Sequence, residues 1–376
     1  MTDLSPLRFL TSTVTDTQSC HIFMGSIREL QFFLVQNHPR IVVIIDEGVL
    51  DIWRTELQSL LDHRGLVTLT VIPISEGESS KQLPEFLRVI DLLQNVPVNR
   101  RDALLIVGGG SCCDLGGTVA TTFMRGIPYI LVPTTLMAMV DAALGGKVAI
   151  NLPSAKNLFG GFHTPVAVWV DIDFLSTLPG REIRQAFGEM IKLAVIADDP
   201  QFFTTLESFI PIVAVQPSNR EPLRCLIEYS IKNKLRLVER DWKEQDLNRL
   251  LNAGHEVAHS LEATFGFDRA KLAHGEAVAL GLAAAARFSY ARGFIASQDS
   301  LRIIQLLKHF GLPTSVKLSS VEFDKVLVAL DVQQRVRNGA LRLVLPELPY
   351  RSFIYHGEDS WGVLDYLKDS INGKPE

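Results

Sequence analysis

The first half of the chain alternates short runs of β-branched and apolar residues with segments of helical periodicity, such as residues 83–95. The apolar runs, which we interpret as buried strands, are residues 40–50, 66–74, 103–110, 129–135 and 166–172. Strands of this kind occur in parallel sheets that helices cover on both faces. The alternation therefore predicts an α/β fold with a doubly wound parallel sheet.

The second half of the chain has a different pattern. After about Leu178, apolar residues recur at spacings of three and four, and β-branched runs become rare, which predicts a mostly α-helical region. A length of 376 residues is also long for a single hydrophobic core. We predict two domains, an α/β domain at residues 1–178 and a helical domain at residues 179–376.

Composition argues against several classes of function. The formal net charge of −5 is unfavourable for a nucleic-acid-binding surface. The longest apolar stretch, residues 277–286, is too short to span a bilayer, and the N-terminal residues lack the pattern of a signal peptide. The four cysteines form no CxxC pair, which is typical of a reducing compartment. We expect a cytoplasmic protein that binds neither nucleic acid nor a membrane.

A glycine-rich loop, IVGGGSCCDLGG at residues 106–117, joins an apolar strand to a predicted helix. Glycines there let phosphate oxygens approach backbone N–H groups at the start of a helix. The loop lacks GxGxxG spacing, so a tight turn without a ligand is the alternative. Asp46, EGESSK at residues 76–81 and VPTT at residues 132–135 also lie at strand ends. Because such ends converge on the crevice where open α/β sheets bind nucleotides, the sequence favours a dinucleotide ligand.

A second polar segment, VDAALGGKVAINLPSAKN at residues 140–157, contains Asp141, Lys147, Lys156 and Asn157. A solvated lysine is the ordinary interpretation of any one of these cations. Lys147, however, follows two glycines among apolar residues, where an unpaired charge would be costly. A pocket that receives a phosphate group accounts for this placement.

The helical half contains a set of possible metal ligands. Glu189 and Lys192 share one helix face with apolar flanks, although a surface ion pair has the same spacing. In LNAGHEVAHSLE, His255 and His259 are four residues apart on one face of a predicted helix, and His274 follows. A catalytic zinc usually takes three protein ligands. Of these four possible ligands, one carboxylate and three histidines, one should therefore have another task.

The chain resembles the 3-dehydroquinate synthase family of sugar-phosphate cyclases from about residue 46 to residue 345. The resemblance depends on separated motifs in the family's order: GGGSCCDLGG, FMRG, VPTTLMAMVDAALGGK, KNLFGGFH, LPGREI, GEMIK, LNAGHEVAH and HGEAVALG. It implies a nucleotide-binding α/β domain that holds NAD, a helical metal- and substrate-binding domain, a homodimer, and a divalent metal, Zn²⁺ or Co²⁺.

The resemblance also implies a role for each matching residue. The family's metal ligands fall on Glu189, His255 and His274. The implied catalytic positions, of which the last falls on a histidine near the substrate phosphate, are Asp141, Lys147, Lys192, Lys234 and His259. The implied substrate-binding positions, with the first reaching the neighbouring subunit's site, are Arg125, Lys156, Asn157, Asn248, Asn252 and Arg335. The positions around NAD are Asp46, Glu78, Lys81, Gly109, Gly110, Asp114, Thr134, Thr135 and Thr177.

The chemistry that the resemblance implies is that of a carbon–oxygen lyase. NAD oxidises a ring hydroxyl of a ketose phosphate, and the metal polarises that oxygen. The ketone acidifies the neighbouring C–H, so that phosphate leaves by β-elimination. The hydride then returns, the ring opens, and an enolate closes a carbocycle on an internal ketone. NAD is restored in each cycle.

The chain departs from the family pattern where dehydroquinate synthases bind the substrate carboxylate. Asn248 stands in place of an arginine, and residues 330–339 lack the family's lysine pair, with Arg335 near the second position. Asn252 and His259 are retained, whereas valiolone-forming cyclases typically change both. Glu256, where threonine is common, has no interpretation from the sequence. We expect an uncarboxylated C7 ketose phosphate, such as sedoheptulose 7-phosphate, as the substrate.

Three other functions are weighed against this one. An authentic 3-dehydroquinate synthase is the alternative within the family. A metal-dependent dehydrogenase of the glycerol or alcohol type shares the glycine loop, but it typically has an aspartate and a histidine where this chain has Glu189 and Lys192, and it has no use for the lysine set. A binding protein without catalysis is disfavoured by the intact metal triad and lysines.

Overall fold

A computed structural model of the protein describes residues 9–15, 18–152, 155–212, 214–246, 249–336 and 342–356. The chain forms two compact units. The α/β unit contains Met1–Leu178 with Ala214–Arg220, and the helical unit contains Pro179–Val213 with Glu221–Glu376. None of the helices within these described ranges is long and apolar enough to cross a membrane.

The α/β unit is built on a mostly parallel sheet. Its strands, with a separate hairpin formed by the seventh and eighth, are β1 (Phe9–Thr15), β2 (Gln18–Met24), β3 (Arg40–Asp46), β4 (Val67–Ile74), β5 (Ala103–Gly108), β6 (Tyr129–Pro133), β7 (Lys147–Leu152), β8 (Ala155–Phe162) and β9 (Ala167–Val170). The strand order is β1-β2-β9-β6-β5-β3-β4. Only β1 runs antiparallel to its neighbour among these pairs. The prediction of a doubly wound parallel sheet is confirmed.

The helices that connect these strands are α1 (Ile27–Asn37), α2 (Glu47–Ile52), α3 (Arg54–Leu61), α4 (Leu83–Leu93) and α5 (Gly110–Thr122). Strands β5, β6 and β9 are buried along their whole length, as continuous apolar runs predict. The interpretation of residues 66–74 as a fully buried strand is wrong, because β4 lies at the sheet edge and most of its side chains are partly exposed.

The helical unit contains α6 (Gly180–Ile196), α7 (Pro200–Ser208), most of α8 (Pro217–Val238), α9 (His255–Thr264), α10 (His274–Ala291), α11 (Ser297–His309) and α12 (Ser320–Val336). An antiparallel hairpin follows, β10 (Arg342–Leu348) with β11 (Arg351–His356). Helices α6 and α10 are buried along most of their length. The mostly helical prediction is confirmed, and the hairpin is an element that it lacked.

Glycines set how closely the central segments of the helical unit approach one another. A Cβ atom on Gly188 of α6 would lie 2.2 Å from the carbonyl oxygen of Gly275 in α10. A Cβ on Gly281 of α10 would lie 2.1 Å from the carbonyl oxygen of Gly254, which has a φ of +73° and precedes α9. Backbone therefore packs directly on backbone, which only glycine permits. The three segments held in this way begin or carry the metal-ligand candidates.

Candidate active site

The glycine loop of the α/β unit lies at the carboxyl end of β5. Gly109 precedes the first residue of α5, Gly110, and supplies no side chain to cap the helix. A Cβ on Gly109 would lie 3.1 Å from Thr135 Cγ2, and a Cβ on Gly110 would lie 3.2 Å from Ala142. A side chain at either glycine would therefore be crowded by Thr135 or Ala142. Because no side chain caps the helix, the first-turn amides of α5 can receive an anion.

Six polar residues around this loop form one hydrogen-bonded set, which we name the Lys81 network: Glu78, Lys81, Ser111, Asp114, Asn151 and Asn157. Lys81 Nζ lies 2.5 Å from Asp114 Oδ2 and also donates to Asn157 Oδ1. Glu78 accepts from Ser111 Oγ at 2.9 Å and from Asn151 Nδ2 at 2.7 Å. Ser111 and Asn151 are not predicted from the sequence, since neither residue type in a loop or hairpin carries a signal of its own.

Burial and the lysine compete within the Lys81 network. Burial is the largest influence on the pKa of Glu78 and raises it, but Lys81 and the bonds from Asn151 and Ser111 outweigh burial and hold the pKa below its usual range. Burial raises the pKa of Asp114 to about 6, although Lys81 acts to lower it. Glu78 is therefore the firmly ionised carboxylate of the set.

The other predicted cofactor residues lie near the carboxyl ends of parallel strands. Asp46 ends β3 and caps α2, because its Oδ1 accepts from the N–H groups of Gly48 at 3.1 Å and Val49 at 3.4 Å. Burial raises the pKa of Asp46. Thr134 and Thr135 follow β6, where Thr135 Oγ1 accepts from an amide three residues later. Thr177 is exposed, and its hydroxyl lies 3.3 Å from Trp53 Nε1.

The predicted phosphate residues lie on irregular backbone. Asp141 belongs to a single turn of π-helix at Ala138–Ala142, a form that is frequent at functional sites. Lys147 begins β7 and is half-buried, as is Lys156 in β8. Asn157 and Arg125 are exposed and have positive φ angles of 56° and 65°. Such angles are uncommon for residues other than glycine and are often found at binding sites.

Three residues of the helical unit converge as a possible metal site. Glu189 lies in α6, and His255 and His274 are the first residues of α9 and α10. One ligand atom from each lies within 4.8 Å of the others. His255 Nε2 and His274 Nε2 are 3.5 Å and 3.3 Å from Glu189 Oε1. The set offers one oxygen and two nitrogen donors around a common point.

The state of Glu189 tests whether these residues fit a metal ion. The residue is 0% exposed, and within the described part of the chain neither carboxylate oxygen receives a hydrogen bond of good geometry. Lys192 Nζ lies 2.5 Å from Oε2 and supplies charge. A buried carboxylate without hydrogen bonds is costly, and one carboxylate with two imidazoles is a donor set of catalytic zinc. The residues fit a divalent metal.

Each histidine of the set makes a contact through its other ring nitrogen. His255 Nδ1 lies 3.2 Å from the carbonyl oxygen of Ala253, and His274 Nδ1 lies 3.4 Å from Glu262 Oε1. Glu262 is a buried residue that the sequence analysis missed. Its position seven residues after His255, on the same helix face, was the available signal. Both Nε2 atoms thus face Glu189.

Charge in this cluster is strongly coupled. Burial raises the pKa of Glu189, but Lys192 and the two histidines hold it well below its usual range. Burial and then Lys192 lower the pKa of His255 well below the ordinary value, which favours the neutral form that binds metals. Burial opposes charge on His274 as well, yet contacts with Glu189 and Glu262 raise its pKa to about 10.

Of the remaining predicted residues of the helical unit, His259 and Lys192 lie beside this cluster. His259 is exposed, with its ring centre 5.2 Å from that of His255, and it is not one of the three converging residues. Lys192 and Lys234 are buried, on α6 and α8. Asn252 ends a short 3₁₀ helix and is half-buried. Asn248 and the side chain of Arg335 lie outside the described residues.

Comparison with known proteins gives consistent matches along most of the chain. The family described as 3-dehydroquinate synthase N-terminal matches residues 71–185, and its C-terminal counterpart matches residues 186–336. A 3-dehydroquinate synthase of Zymomonas mobilis subsp. mobilis is 40% identical over 318 residues, 84% of this chain and 83% of the relative. A 2-epi-valiolone synthase of Actinosynnema mirum is 38% identical over 340 residues, covering 89% and 87%.

A solved structure has the same fold. It is the 2-epi-5-epi-valiolone synthase of Streptomyces hygroscopicus subsp. jinggangensis 5008 with NAD⁺ and Zn²⁺ bound. The TM-score is 0.82 at 23% identity, with 96% of this chain and 97% of the other covered.

Proposed function

Because the chain belongs to the 3-dehydroquinate synthase family, we propose that it is a sugar-phosphate cyclase, a carbon–oxygen lyase that converts a ketose phosphate to a carbocycle and inorganic phosphate. The observation that carries the proposal is the cluster of buried Glu189 with half-buried His255 and His274, with Lys192 buried beside it. A cation and a metal site together suit a substrate that has hydroxyls to activate and a phosphate to release.

The cofactors in this proposal are NAD and a divalent metal, Zn²⁺ or Co²⁺. Glu189, His255 and His274 would hold the metal, and the glycine loop with the Lys81 network and Asp46 would hold NAD. When bound, NAD accepts and returns a hydride at one hydroxyl carbon, and the metal acidifies that hydroxyl. The chain's own residues bind and orient the substrate and move its protons.

The proposed substrate-binding residues of the two units differ in kind. In the α/β unit, the residues that supply cations and an amide for the phosphate dianion are Lys147, Lys156, Asn157 and Arg125. The net charge of −5 describes the whole chain and is compatible with a local group of cations. In the helical unit, Lys192, Lys234 and Asn252 bind and orient the hydroxyls of the substrate. His259, outside the metal cluster, binds the phosphate or carries a proton. Asp141 is the proposed catalytic carboxylate of the α/β unit. Cations that are held around a phosphate dianion lower the barrier to its departure.

The proposal includes a homodimer in which Arg125 reaches the neighbouring subunit's site. Met124 and Arg125 project from a turn with positive φ angles, and Leu158, Phe159 and Phe162 of β8 are exposed apolar residues. Exposed apolar patches of this kind often mark protein interfaces. Light scattering on purified protein is expected to give a dimer mass, and a monomer mass with full activity would refute this part. The free cysteines, three of them buried, fit action in the cytoplasm.

The substrate in this proposal is an uncarboxylated C7 ketose phosphate such as sedoheptulose 7-phosphate. Asn248 is neutral where the family's carboxylate-binding arginine is expected, and an amide cannot replace the paired donors of a guanidinium. The likeness to a 2-epi-valiolone synthase supports this choice. The likeness to a 3-dehydroquinate synthase supports the alternative, in which the chain uses the carboxylated heptulosonate phosphate.

The test is a panel of C6 and C7 sugar phosphates incubated with protein, NAD and zinc, with phosphate release as the readout. Loss of a buried cationic partner costs about 2–5 kcal/mol, or roughly 30- to 4,000-fold in kcat/KM. We expect Asn248→Arg to raise the preference for the carboxylated sugar, whereas the control Gln245→Arg, three residues away on an exposed side chain, leaves it unchanged. Efficient turnover of the carboxylated sugar by the unmodified protein would make the chain a 3-dehydroquinate synthase.

A further inference from the structure

We propose that Glu262 is a positioning residue of the metal site, whose carboxylate fixes the tautomer and the ring orientation of His274. This inference rests on the metal site proposed above. It adds a residue that is not one of the three proposed metal ligands and acts through one of them.

The two nitrogens of His274 face two different carboxylates. Nε2 is 3.3 Å from Glu189 Oε1, and Nδ1 is 3.4 Å from Glu262 Oε1. A neutral imidazole that binds a metal through Nε2 must carry its proton on Nδ1, where an acceptor holds it. Glu262 is that acceptor. It therefore selects the tautomer in which Nε2 has a lone pair directed toward Glu189 and the metal.

Helix α9 carries both a ligand and this positioning group. His255 and Glu262 are seven residues apart, which places them two turns apart on the same face of α9. Glu262 is only 8% exposed, and a buried carboxylate needs a partner to offset its desolvation. The contact with His274 links α9 to the first residue of α10, so that the two histidine ligands are held in a common register.

The two histidines differ in a way that makes the role of Glu262 testable. His255 Nδ1 faces a backbone carbonyl, that of Ala253, at 3.2 Å. No side-chain substitution removes that acceptor. His274 faces a charged side chain instead, so its acceptor can be neutralised or deleted while all three ligands remain. A change in metal binding after such a substitution reports on orientation and basicity of the His274 ring alone.

The experiment measures the affinity of purified protein for zinc by competition with a chelator, and the visible absorption spectrum of the Co²⁺-loaded protein. Glu262→Ala should bind zinc about 10- to 100-fold more weakly, the range for loss of an outer partner of a metal ligand. Glu262→Gln should lie between it and the unmodified protein, because the amide still accepts a hydrogen bond but has no charge. The Co²⁺ spectrum should shift in both variants.

A matched control separates this role from general loss of charge. Glu207 of α7 is a carboxylate of the same unit that pairs with Arg302 at 2.8 Å, and Glu207→Gln should leave zinc affinity and the Co²⁺ spectrum unchanged. If Glu262→Ala fails to fold by circular dichroism, the isosteric Glu262→Gln decides the matter. Unchanged affinity and an unchanged spectrum in Glu262→Gln would overturn the inference.

The same measurements distinguish failure of this inference from failure of the proposed function. A protein that binds zinc, loses affinity in the Glu262 variants and releases no phosphate from any sugar phosphate would support the positioning role and refute the cyclase. A protein that binds no zinc, or whose zinc binding survives His274→Ala, would overturn the positioning role.

Discussion

Buried charged groups are paired differently in the Lys81 network of the α/β unit and in the Glu189 cluster of the helical unit, which consists of Glu189, Lys192, His255 and His274. In the network, Lys81 lies against Asp114 and Asn157, and Glu78 receives two hydrogen bonds, so the protein's own groups satisfy one another. In the cluster, Glu189 is fully buried and pairs with Lys192 at 2.5 Å. Its oxygens accept no hydrogen bond of good geometry from the described residues, and the Nε2 atoms of His255 and His274 lie 3.5 Å and 3.3 Å from Oε1.

This difference indicates how much each site depends on its ligand. Hydrogen bonds already in place keep the proposed NAD site in shape before a dinucleotide binds. Lys192 already offsets the charge of Glu189, but Glu189 Oε1 and the two imidazole Nε2 atoms converge on one point, where a bound cation would be a partner common to all three. The α/β unit is therefore expected to be preorganised, and the helical unit to be completed by its metal.

The largest expected effect is loss of metal from the cluster. His255→Ala or His274→Ala removes one of three ligands, so zinc affinity should fall by more than the roughly 100-fold limit for outer partners. His259→Ala should keep near-normal metal content, because His259 lies outside the converging set. The same variant should lose activity, because His259 is proposed to bind the phosphate or carry a proton. Metal analysis of the three purified variants, with activity measured on the same samples, checks both statements.

The control for this experiment is circular dichroism, which should show the helical content of all three variants to be the same. Equal depletion of metal in His259→Ala and in the other two variants would show that the roles of the histidines are wrongly assigned.

The next effect is a rise in the protection of backbone amides when each unit binds its ligand, which hydrogen exchange measures separately for the two units. Zinc at a thousand-fold excess over its Kd stabilises the state that binds it by about 4 kcal/mol. We expect protection in α6, α9 and α10 to rise strongly with zinc, because these segments carry the ligands. NAD should give a smaller rise, confined to α5 and the loops around it, since that site is already bonded. Equal gains in both units, or a larger gain with NAD, would contradict the contrast.

The smallest effect concerns the ion pair within the Lys81 network. Lys81→Met leaves Asp114 without its cation, which should reduce the free energy of unfolding by about 3 kcal/mol near pH 8, at the low end for a buried pair because Asp114 is partly exposed. Urea denaturation measures this change. The double variant Lys81→Met with Asp114→Asn should recover part of the loss, and additive losses would show that the two residues are not coupled.

The pH dependence of that loss has a defined sign. Burial raises the pKa of folded Asp114 to about 6, above that of the unfolded chain. The folded state therefore holds the proton more tightly, and the contribution of Asp114 to stability declines as pH rises through 6. Because Lys81 lowers this pKa, Lys81→Met should raise it further and extend the decline to higher pH. The difference between the variant and the unmodified protein should thus be larger at pH 8 than at pH 5.

The sequence predicts the layers of the fold better than their edges. Continuous apolar runs identify β5 and β6, which neighbours cover on both faces. The same kind of run in β4 misleads, because whether a strand lies at an edge depends on which strands pair with it and not on its own residues. Strand β1 has no continuous apolar run, and the β10–β11 hairpin follows a long helical region. Neither element is therefore predicted from the sequence.

The candidate site shows a similar division. The i, i+4 spacing of His255 and His259 indicates a metal site, but spacing alone leaves open which histidine is outside it. The structure brings only the first of the two together with Glu189 and His274. Asn151 of the Lys81 network and Glu262 become visible only in three dimensions, since their partners are distant in sequence or on another element.

The central claim, that the chain is a cyclase which returns each hydride, is tested most directly by counting phosphate and NADH in one reaction. Purified protein with zinc, excess NAD and the best sugar phosphate of the panel is followed by a phosphate assay and by NADH absorbance. The account predicts many turnovers of phosphate while NADH never exceeds the enzyme concentration, because NAD is regenerated on the enzyme. NADH that accumulates in proportion to turnover, with no release of phosphate, would contradict it and identify a dehydrogenase.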